Sequence, residues 1–308
     1  MTVKKYDIVI VGAGVAGMTA AIYAKRAGKS VMVLDAKTYG GQIIQTFDVA
    51  NWPGDVSVSG VDLSQKIYHQ MNNLGAEFEY AEVVDVIDTD KNGDNEKFLV
   101  KTDDEEYACG AIIIATGTIV REMGVEGENK YVGRGISYCA TCDGAFYKDK
   151  PVIVVGGGNT ALYDALYLSD IASKVYLVHR REEFRGDKIL VDKLRSRGNV
   201  EFVLPYSPVE IVGEKRVSGL VVRSTGGNEK TIEADGIFVA VGRIPATEVF
   251  RKLVKLDEAG YVVAGEDCKT SHDGVFVAGD VRTKQVRQLV TAAGDGAVAA
   301  EEAVRYLG

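Results

Sequence analysis

The chain has 308 residues, 46% hydrophobic and 26% charged, the make-up of a globular protein of about two domains. A formal charge of -8 argues against non-specific nucleic-acid binding, and no apolar run reaches the roughly 18 residues a membrane-spanning helix needs. Four cysteines with one close pair, and three histidines without paired spacing, fall short of a tetrahedral zinc set, so no metal site is expected.

The first stretch, "MTVKKYDIVIVGAG", enters a strand and a glycine loop without a signal-peptide cleavage site, so a cytoplasmic location is expected. "YDIVIVGAGVAGMTAAIYAKRAGKSVMVLD" reads as a buried strand over 6–11, a loop, a helix over about 15–27 and a second strand over 31–35. Gly12, Gly14 and Gly17 fit GxGxxG. The first allows the tight turn, the second lets backbone approach a pyrophosphate, and the third packs helix on strand. The phosphates would then meet free N–H groups and the positive end of the helix dipole. Asp35 closes the second strand, where a carboxylate can accept from ribose hydroxyls. Further on, "GGQI" (40–43) is a Gly-Gly turn, "DTDKNGDNEKF" (88–98) a polar hairpin tip without calcium-loop spacing, and "AIIIATG" (111–117) an apolar strand ending in a small turn.

"YCATCDGAFY" (138–147) sets two cysteines two residues apart, with an acid directly after the second. A reducing compartment disfavours a structural disulfide, so a redox pair is expected if the chain also brings an electron source. A helix opening at these residues would lower a thiolate pKa. Cys109 and Cys268 have no close sulfur neighbour and read as ordinary thiols.

The electron source follows at once. "PVIVVGGGNTALYDALYLSDIASKVYLVHR" repeats the opening unit at a constant offset of 144, so that Gly156, Gly158, Ala161 and His179 stand where Gly12, Gly14, Gly17 and Asp35 stood. "GIFVAVG" (236–242) likewise echoes "AIIIATG". The copies differ at the end of their second strands. The first has an acid, which repels a 2'-phosphate; the second continues as "HRREEFR", and His179, Arg180, Arg181 and Arg185 suit that phosphate. The second loop should therefore prefer NADPH to NADH, leaving the first for a dinucleotide with a free ribose. A late strand, "GVFVAGDV" (274–281), ends in Gly279 and Asp280, a carboxylate that could meet a long polyol such as ribityl.

Together "GAGVAG", "GGQ", "NWPG" (51–54), "ATG", "CATCDG", "GGGNTA", "HRREEFR", "GVFVAGDV" and "RQLVTAAGDGAVAA" (287–300) resemble the low-molecular-weight thioredoxin reductases, a flavoprotein disulfide reductase family. Asp35 stands where a Glu is common, which keeps the acceptor, and "GGGNTALYDA" replaces a more acidic helix start. The resemblance implies an α/β fold of two Rossmann-like, three-layer dinucleotide-binding domains, the NADPH domain inserted into the FAD domain. Residues 1–117 and 246–308 would hold FAD, and 118–245 would hold NADPH and the CxxC, with short crossings near 117–119 and 243–245 as a hinge. At the FAD site it places Gly41, Gln42, Asn51, Ala115, Thr116, Gly117, Gly279, Asp280, Arg287, Gln288 and Leu289 beside Gly12, Gly14, Gly17 and Asp35. At the NADPH site it adds Asn159 and Thr160 to the glycine loop and the basic run.

The activity implied is reduction of thioredoxin by NADPH. Nicotinamide gives hydride poorly to sulfur, and a flavin between them is sensible chemistry. By the resemblance Cys142 is the flavin-side sulfur, Cys139 attacks the partner disulfide, and Asp143 exchanges the proton; a first-turn helix acid is the plainer role for Asp143. The resemblance also implies rotation of the NADPH domain between half-reactions, and a homodimer. A glutaredoxin-like or peroxidase-linked carrier, or a flavin redox sensor, is the alternative.

Overall fold

The computed structural model describes residues 3–46, 49–89 and 96–308. They divide into two compact units, 1–119 with 244–308 and 120–243, so the second is inserted in the first. In the first unit the chain runs through β1 (Lys4–Val11), α1 (Val15–Arg26), β2 (Val31–Asp35), α2 (Gly60–Asn73), β3 (Glu77–Tyr80), β4 (Val83–Asp88), β5 (Phe98–Thr102) and β6 (Glu106–Ile114). It crosses on β7 (Thr118–Val120). The second unit holds β8 (Ile136–Ser137), α3 (Ala140–Asp143), β9 (Pro151–Val155), α4 (Asn159–Ser169), β10 (Lys174–Val178), α5 (Lys188–Arg195) and β11 (Val200–Val203). It continues through β12 (Tyr206–Gly213), β13 (Val217–Ser224), β14 (Glu229–Glu233) and β15 (Gly236–Val239). The return is β16 (Arg243–Pro245), followed by β17 (Val275–Val277) and α6 (Leu289–Leu307).

In the first unit β3, β2, β1 and β6 lie side by side in parallel. The outer edge of β6 is shared. Its start pairs with β5 antiparallel, and its end, Ile112–Ile114, pairs with β17 in parallel. The C-terminal ends of β1, β2, β6 and β17 therefore meet at one sheet edge, which is where a doubly wound sheet binds its ligand. Alternation along the strands builds two cores. Ile8, Ile10, Val31, Val33 and Ile113 face α1, α2 and α6. Val9, Val11, Met32, Leu34 and Ile112 face the other way, towards Val83, Phe98, Phe250 and Val254. The hairpin tip expected at 88–98 falls largely on residues 90–95, outside the described residues; its flanking strands β4 and β5 pair antiparallel.

The second unit repeats the plan with a five-stranded parallel sheet, ordered β11-β10-β9-β15-β8, among the described residues. Val152, Val154, Leu177 and Phe238 pack on Leu162, Ala165 and Leu190 of α4 and α5. Ile153, Val155, Val178 and Ile237 pack on Ile211, Leu220, Val222 and Ile232 of the β12–β14 meander. The three layers are thus helix, parallel sheet and antiparallel sheet. No helix among the described residues is long and apolar enough to cross a membrane.

Candidate active site and nucleotide loops

Gly12 follows β1 with φ +109°, and a Cβ on it would stand 2.3 Å from the carbonyl oxygen of Ala115. Gly156 follows β9 with φ +155°, and its Cβ would stand 2.4 Å from the carbonyl oxygen of Ala240. Both turns are glycine because the backbone after the echo strand passes where a side chain would be. The repeat seen in sequence is thus a repeat of one steric solution. Gly17 packs α1 onto the turn: its Cβ would meet the Gly12 carbonyl oxygen at 1.8 Å. Ala161 does the same job in the second copy with its methyl group beside Gly156. Gly14 and Gly158 differ in kind, since a Cβ on either meets nothing within 4 Å. They are the N-caps of α1 and α4, without a side-chain cap and without an acid in the first turn. Such helix starts leave N–H groups for a phosphate. On that test the residues present fit a dinucleotide in each unit.

The other residues expected around the first loop converge at the same edge. The Gly40-Gly41 turn lies against it, with Gly40 N–H donating to the Ala13 carbonyl at 2.8 Å and Gly14 bridging to Gly40. Asp35 accepts from the N–H groups of Ala13 at 2.8 Å and Lys37 at 2.9 Å, which fixes the carboxylate at the loop. Gln42 donates to the Thr118 carbonyl at 2.5 Å, and the Thr116 hydroxyl donates to the Ala246 carbonyl at 2.6 Å, tying the "ATG" turn and Gly117 to neighbouring chain. Asn51 donates to Gln288 at 3.1 Å, so two residues 237 apart in sequence share one contact. Gln288 is also the N-cap of α6, in a reciprocal box with Thr291. Arg287 lies over the Tyr261 ring at 4.3 Å and donates to the Asp280 carbonyl at 3.2 Å. Leu289 packs on the core side of α6, a structural part rather than a polar contact.

What holds Gly279 and Asp280 was missed in the sequence. Asp295, in α6, accepts from the Gly279 N–H at 2.9 Å, from two nitrogens of Arg282 at 2.9 Å and from Lys284 at 2.7 Å. All three side chains are nearly buried, and the paired cations hold the Asp295 carboxyl below its ordinary range although burial pushes the other way. An acid in the apolar "AAGDGAVAA" stretch was the available signal.

Around the second loop, the basic run is anchored to the glycines. Arg185 N–H donates to the Gly157 carbonyl at 2.8 Å, and Asn159 is clipped to Asp187 by hydrogen bonds of 2.7 and 3.2 Å. Asn159 is therefore a brace for the run as well as the first residue of α4, and Thr160 is exposed beside it. Arg180, Arg181 and Arg185 are exposed and make no ion pair among the described residues. The His179 ring fills the space beside Gly157 and stacks on Phe184 at 5.4 Å. It is 7% exposed, and its Nε2 is buried without a hydrogen-bond partner. Burial first, then Arg185, lowers its pKa. A neutral imidazole with an orphan nitrogen at the end of β10 suits a polar ligand group there.

The same unit carries the sulfur pair. Cys139 and Cys142 form a disulfide, with Cα atoms 5.3 Å apart. Cys139 is the N-cap of α3, and the Cys142 and Asp143 N–H groups donate to its carbonyl at 3.3 and 3.2 Å. A helix does open at these residues, but it is a single turn of four residues, followed by a 3-10 turn, so its dipole is too short to lower a thiolate pKa by much. Burial raises the pKa of Asp143. Tyr138, just before the pair, donates to Glu128 at 2.9 Å. Glu128 is 2% exposed and also accepts from the N–H groups of Met123 and Gly124. The sequence marked neither Ser137 nor Glu128. Cys109 and Cys268 are buried, and burial pushes both thiols up to about 12, so they stay protonated. No metal-binding cluster occurs among the described residues.

Two parallel-sheet units with glycine-turn phosphate loops, one of them bearing a vicinal disulfide, define an α/β dinucleotide-binding redox protein. The sequence matches the family described as Pyridine nucleotide-disulphide oxidoreductase over residues 6–296, and the chain belongs to that family. It is 42% identical over 306 residues to a thioredoxin reductase of Listeria monocytogenes, covering 99% of this chain and 94% of that protein. It is 40% identical over 306 residues to a thioredoxin reductase of Bacillus subtilis, covering 99% and 95%. Among solved structures it is similar to a thioredoxin reductase of Streptococcus pyogenes, with a TM-score of 0.92 at 39% identity and 99% of each chain covered. One from Giardia duodenalis gives 0.91 at 36%, again with 99% of each chain covered. The family implies a flavin and a pyridine nucleotide in general.

Proposed function

We propose that the protein is an NADPH-dependent thioredoxin reductase, with FAD in the first unit, NADPH in the second and Cys139–Cys142 as the redox pair. One observation carries this reading. The second unit combines a phosphate loop, free arginines at the ribose end and a vicinal disulfide followed by an acid. A dinucleotide site and a cystine in one unit serve a protein that passes pyridine-nucleotide electrons to sulfur. Relatives of full-length similarity bear the name thioredoxin reductase, which favours a thioredoxin over another dithiol carrier.

Bound flavin supplies two-electron transfer between nicotinamide and sulfur. Asp35, Asn51, Gln288 and the Gly279–Asp280 turn would hold that flavin nucleotide, the turn kept in place by Asp295. Arg180, Arg181 and Arg185 would bind the 2'-phosphate of NADPH, and His179 would contact the same nucleotide. Once the pair is reduced, the Cys139 thiolate attacks the partner disulfide and a mixed disulfide forms. Cys142 then attacks Cys139, the partner leaves as a dithiol, and the Cys139–Cys142 bond is restored. Asp143, kept proton-rich by burial, exchanges the proton with the sulfur that leaves or attacks. We place the protein in the cytoplasm as a homodimer, on the resemblance alone.

Anaerobic titration tests the reading. NADPH should bleach the yellow protein, and oxidised thioredoxin should restore the colour. Cys139→Ser should lose reduction of thioredoxin by at least about a thousandfold, while NADPH still bleaches the flavin. Polypeptide that stays colourless after reconstitution with FAD would overturn the assignment.

A further inference from the structure

The segment that leads into the disulfide is pinned at each of its last two residues. Ser137 ends β8, an edge strand that pairs in parallel with β15 through Ile136 and Ser137. Its side chain is buried. Its Oγ accepts from the Cys139 N–H at 3.1 Å and donates to the Cys139 carbonyl at 3.2 Å. That carbonyl also receives the N–H groups of Cys142 at 3.3 Å and Asp143 at 3.2 Å. Both peptide groups that flank the Cys139 α-carbon are thus tied.

Tyr138, between Ser137 and Cys139, has its own anchor. Its hydroxyl donates to the Glu128 carboxyl at 2.9 Å, and its ring packs against the core of the second unit. The buried Glu128 carboxyl also accepts from the N–H groups of Met123 and Gly124, at 3.1 Å each. The short 3-10 turn that carries it, Glu128–Tyr131, is fixed in turn by the buried Tyr131, whose hydroxyl donates to the Gly213 carbonyl of β12 at 2.6 Å. The chain that enters Cys139 is therefore held by the sheet, by the Ser137 hydroxyl and by a buried carboxyl.

Reduction breaks the Cys139–Cys142 bond with two electrons and two protons and leaves two thiols. In the disulfide a covalent bond holds Cys139 near Cys142; in the dithiol only the backbone does. Constraints on the Cys139 backbone therefore remove more freedom from the dithiol than from the disulfide, and fixing the backbone of one residue is worth roughly tenfold in an equilibrium constant. We propose that Ser137 and the Tyr138–Glu128 pair are positioning residues for the redox pair: they hold the Cys139 backbone in the conformation the disulfide uses, which favours the closed pair and makes the dithiol a stronger electron donor. This rests on Cys139–Cys142 being the redox pair proposed above. The effect falls on the step that delivers electrons. Cys142, having given up its proton, attacks Cys139, and the bond from Cys139 to the partner breaks. The partner's sulfur leaves with the electron pair and takes a proton, and the closing pair has no backbone search to make.

The test uses full-length, flavin-loaded protein, equilibrated without oxygen at one fixed pH in mixtures of dithiothreitol and its cyclic disulfide, which supply or take up the two electrons and two protons. After an acid quench, unfolding and alkylation, mass spectrometry counts thiols: two per chain when oxidised, Cys109 and Cys268, and four when reduced. Ser137→Ala should shift the equilibrium towards the dithiol by about tenfold, about 30 mV in potential. Tyr138→Phe keeps the ring, removes only the hydroxyl and should shift it the same way by about threefold, ~15 mV. The phenylalanine variant decides the matter should the alanine variant fold poorly. A contact that merely supports the fold would weaken the oxidised and reduced proteins alike and leave the equilibrium where it was. An equilibrium that is unchanged, or moved towards the disulfide, in either variant overturns the proposal. The count needs neither NADPH nor thioredoxin. If the equilibrium shifts as expected in protein whose flavin NADPH does not bleach, the positioning role stands and the reductase assignment falls.

Discussion

The two glycine loops are one solution used twice and finished differently. Gly12 and Gly156 each turn beneath the carbonyl of a residue that follows an apolar strand, and α1 and α4 each start uncapped. The ends of the neighbouring strands diverge. After β2, Asp35 is held by two backbone N–H groups of its own loop. After β10, the His179 ring takes the space beside Gly157, and three exposed arginines follow. On the proposed function, the steric frame would set that a dinucleotide binds and the strand-end residues would set which one. The units also differ in what surrounds the loop. The first gathers Asn51, Gln288 and the Gly279–Asp280 turn from distant chain, whereas the second keeps its proposed nucleotide residues within 156–187 and adds the disulfide.

Breaking one frame at a time gives the largest expected effects. Gly12→Ala places a methyl on the Ala115 carbonyl, and Gly156→Ala places one on the Ala240 carbonyl, both at positive φ. Each clash is with backbone, so the loop must shift by more than thermal motion allows. Gly12→Ala should yield protein with less than about a tenth of the native flavin, a loss of at least ~1.4 kcal/mol of binding. Gly156→Ala should retain native flavin content and raise the NADPH dissociation constant at least tenfold, by the same arithmetic. Flavin absorbance per protein and NADPH titration measure the two. Equal loss of flavin in both variants would mean that the loops do not serve separate nucleotides.

The sequence displays local chemistry and hides long-range chemistry. Gly12, Asp35, the repeat, the basic run and the CxxC are legible because each proposed function is written within a few residues of one strand end. The convergence of 115–117 and 279–280 at the edge that holds Gly12 depends on β6 pairing with β1 and β17 at once, a register that no local pattern states. Arg282, Lys284 and Asp295 look like surface charges until α6 buries them together. Ser137 looks like any strand residue until its hydroxyl is seen against Cys139. The sequence raises a helix at the cysteines only as a condition; in the structure Gly144 packs under Tyr167 and the chain leaves the α-helical path after one turn.

A sharper version of the comparison exchanges only the finish of the second loop. Arg180→Ala with Arg181→Ala leaves the glycines, α4 and the disulfide untouched. Each guanidinium–phosphate contact is worth about 1.5–3 kcal/mol, and exposure puts these at the low end. NADPH affinity should therefore fall by roughly a hundredfold, with NADH affinity changed by less than about threefold. Stopped-flow reduction of the flavin by each nucleotide measures this. Equal losses would mean that the arginines hold something common to both nucleotides.

The smallest effect concerns the stability of the two finishes. Burial and neighbouring arginines lower the His179 pKa in the folded protein, so the unfolded chain binds the proton first as pH falls. The stability that goes with a neutral His179 is complete above the ordinary histidine value near 6.5 and declines as pH drops from there towards the lowered folded value. Amide exchange should then show β9 and β10 losing protection between about pH 7.5 and 5.5 relative to β1 and β2. His179→Phe keeps the ring against Phe184 and removes the titrating group, so the difference between the units should shrink. If the variant retains the full native difference, the pH sensitivity of the second sheet comes from another group and the buried imidazole is not its source.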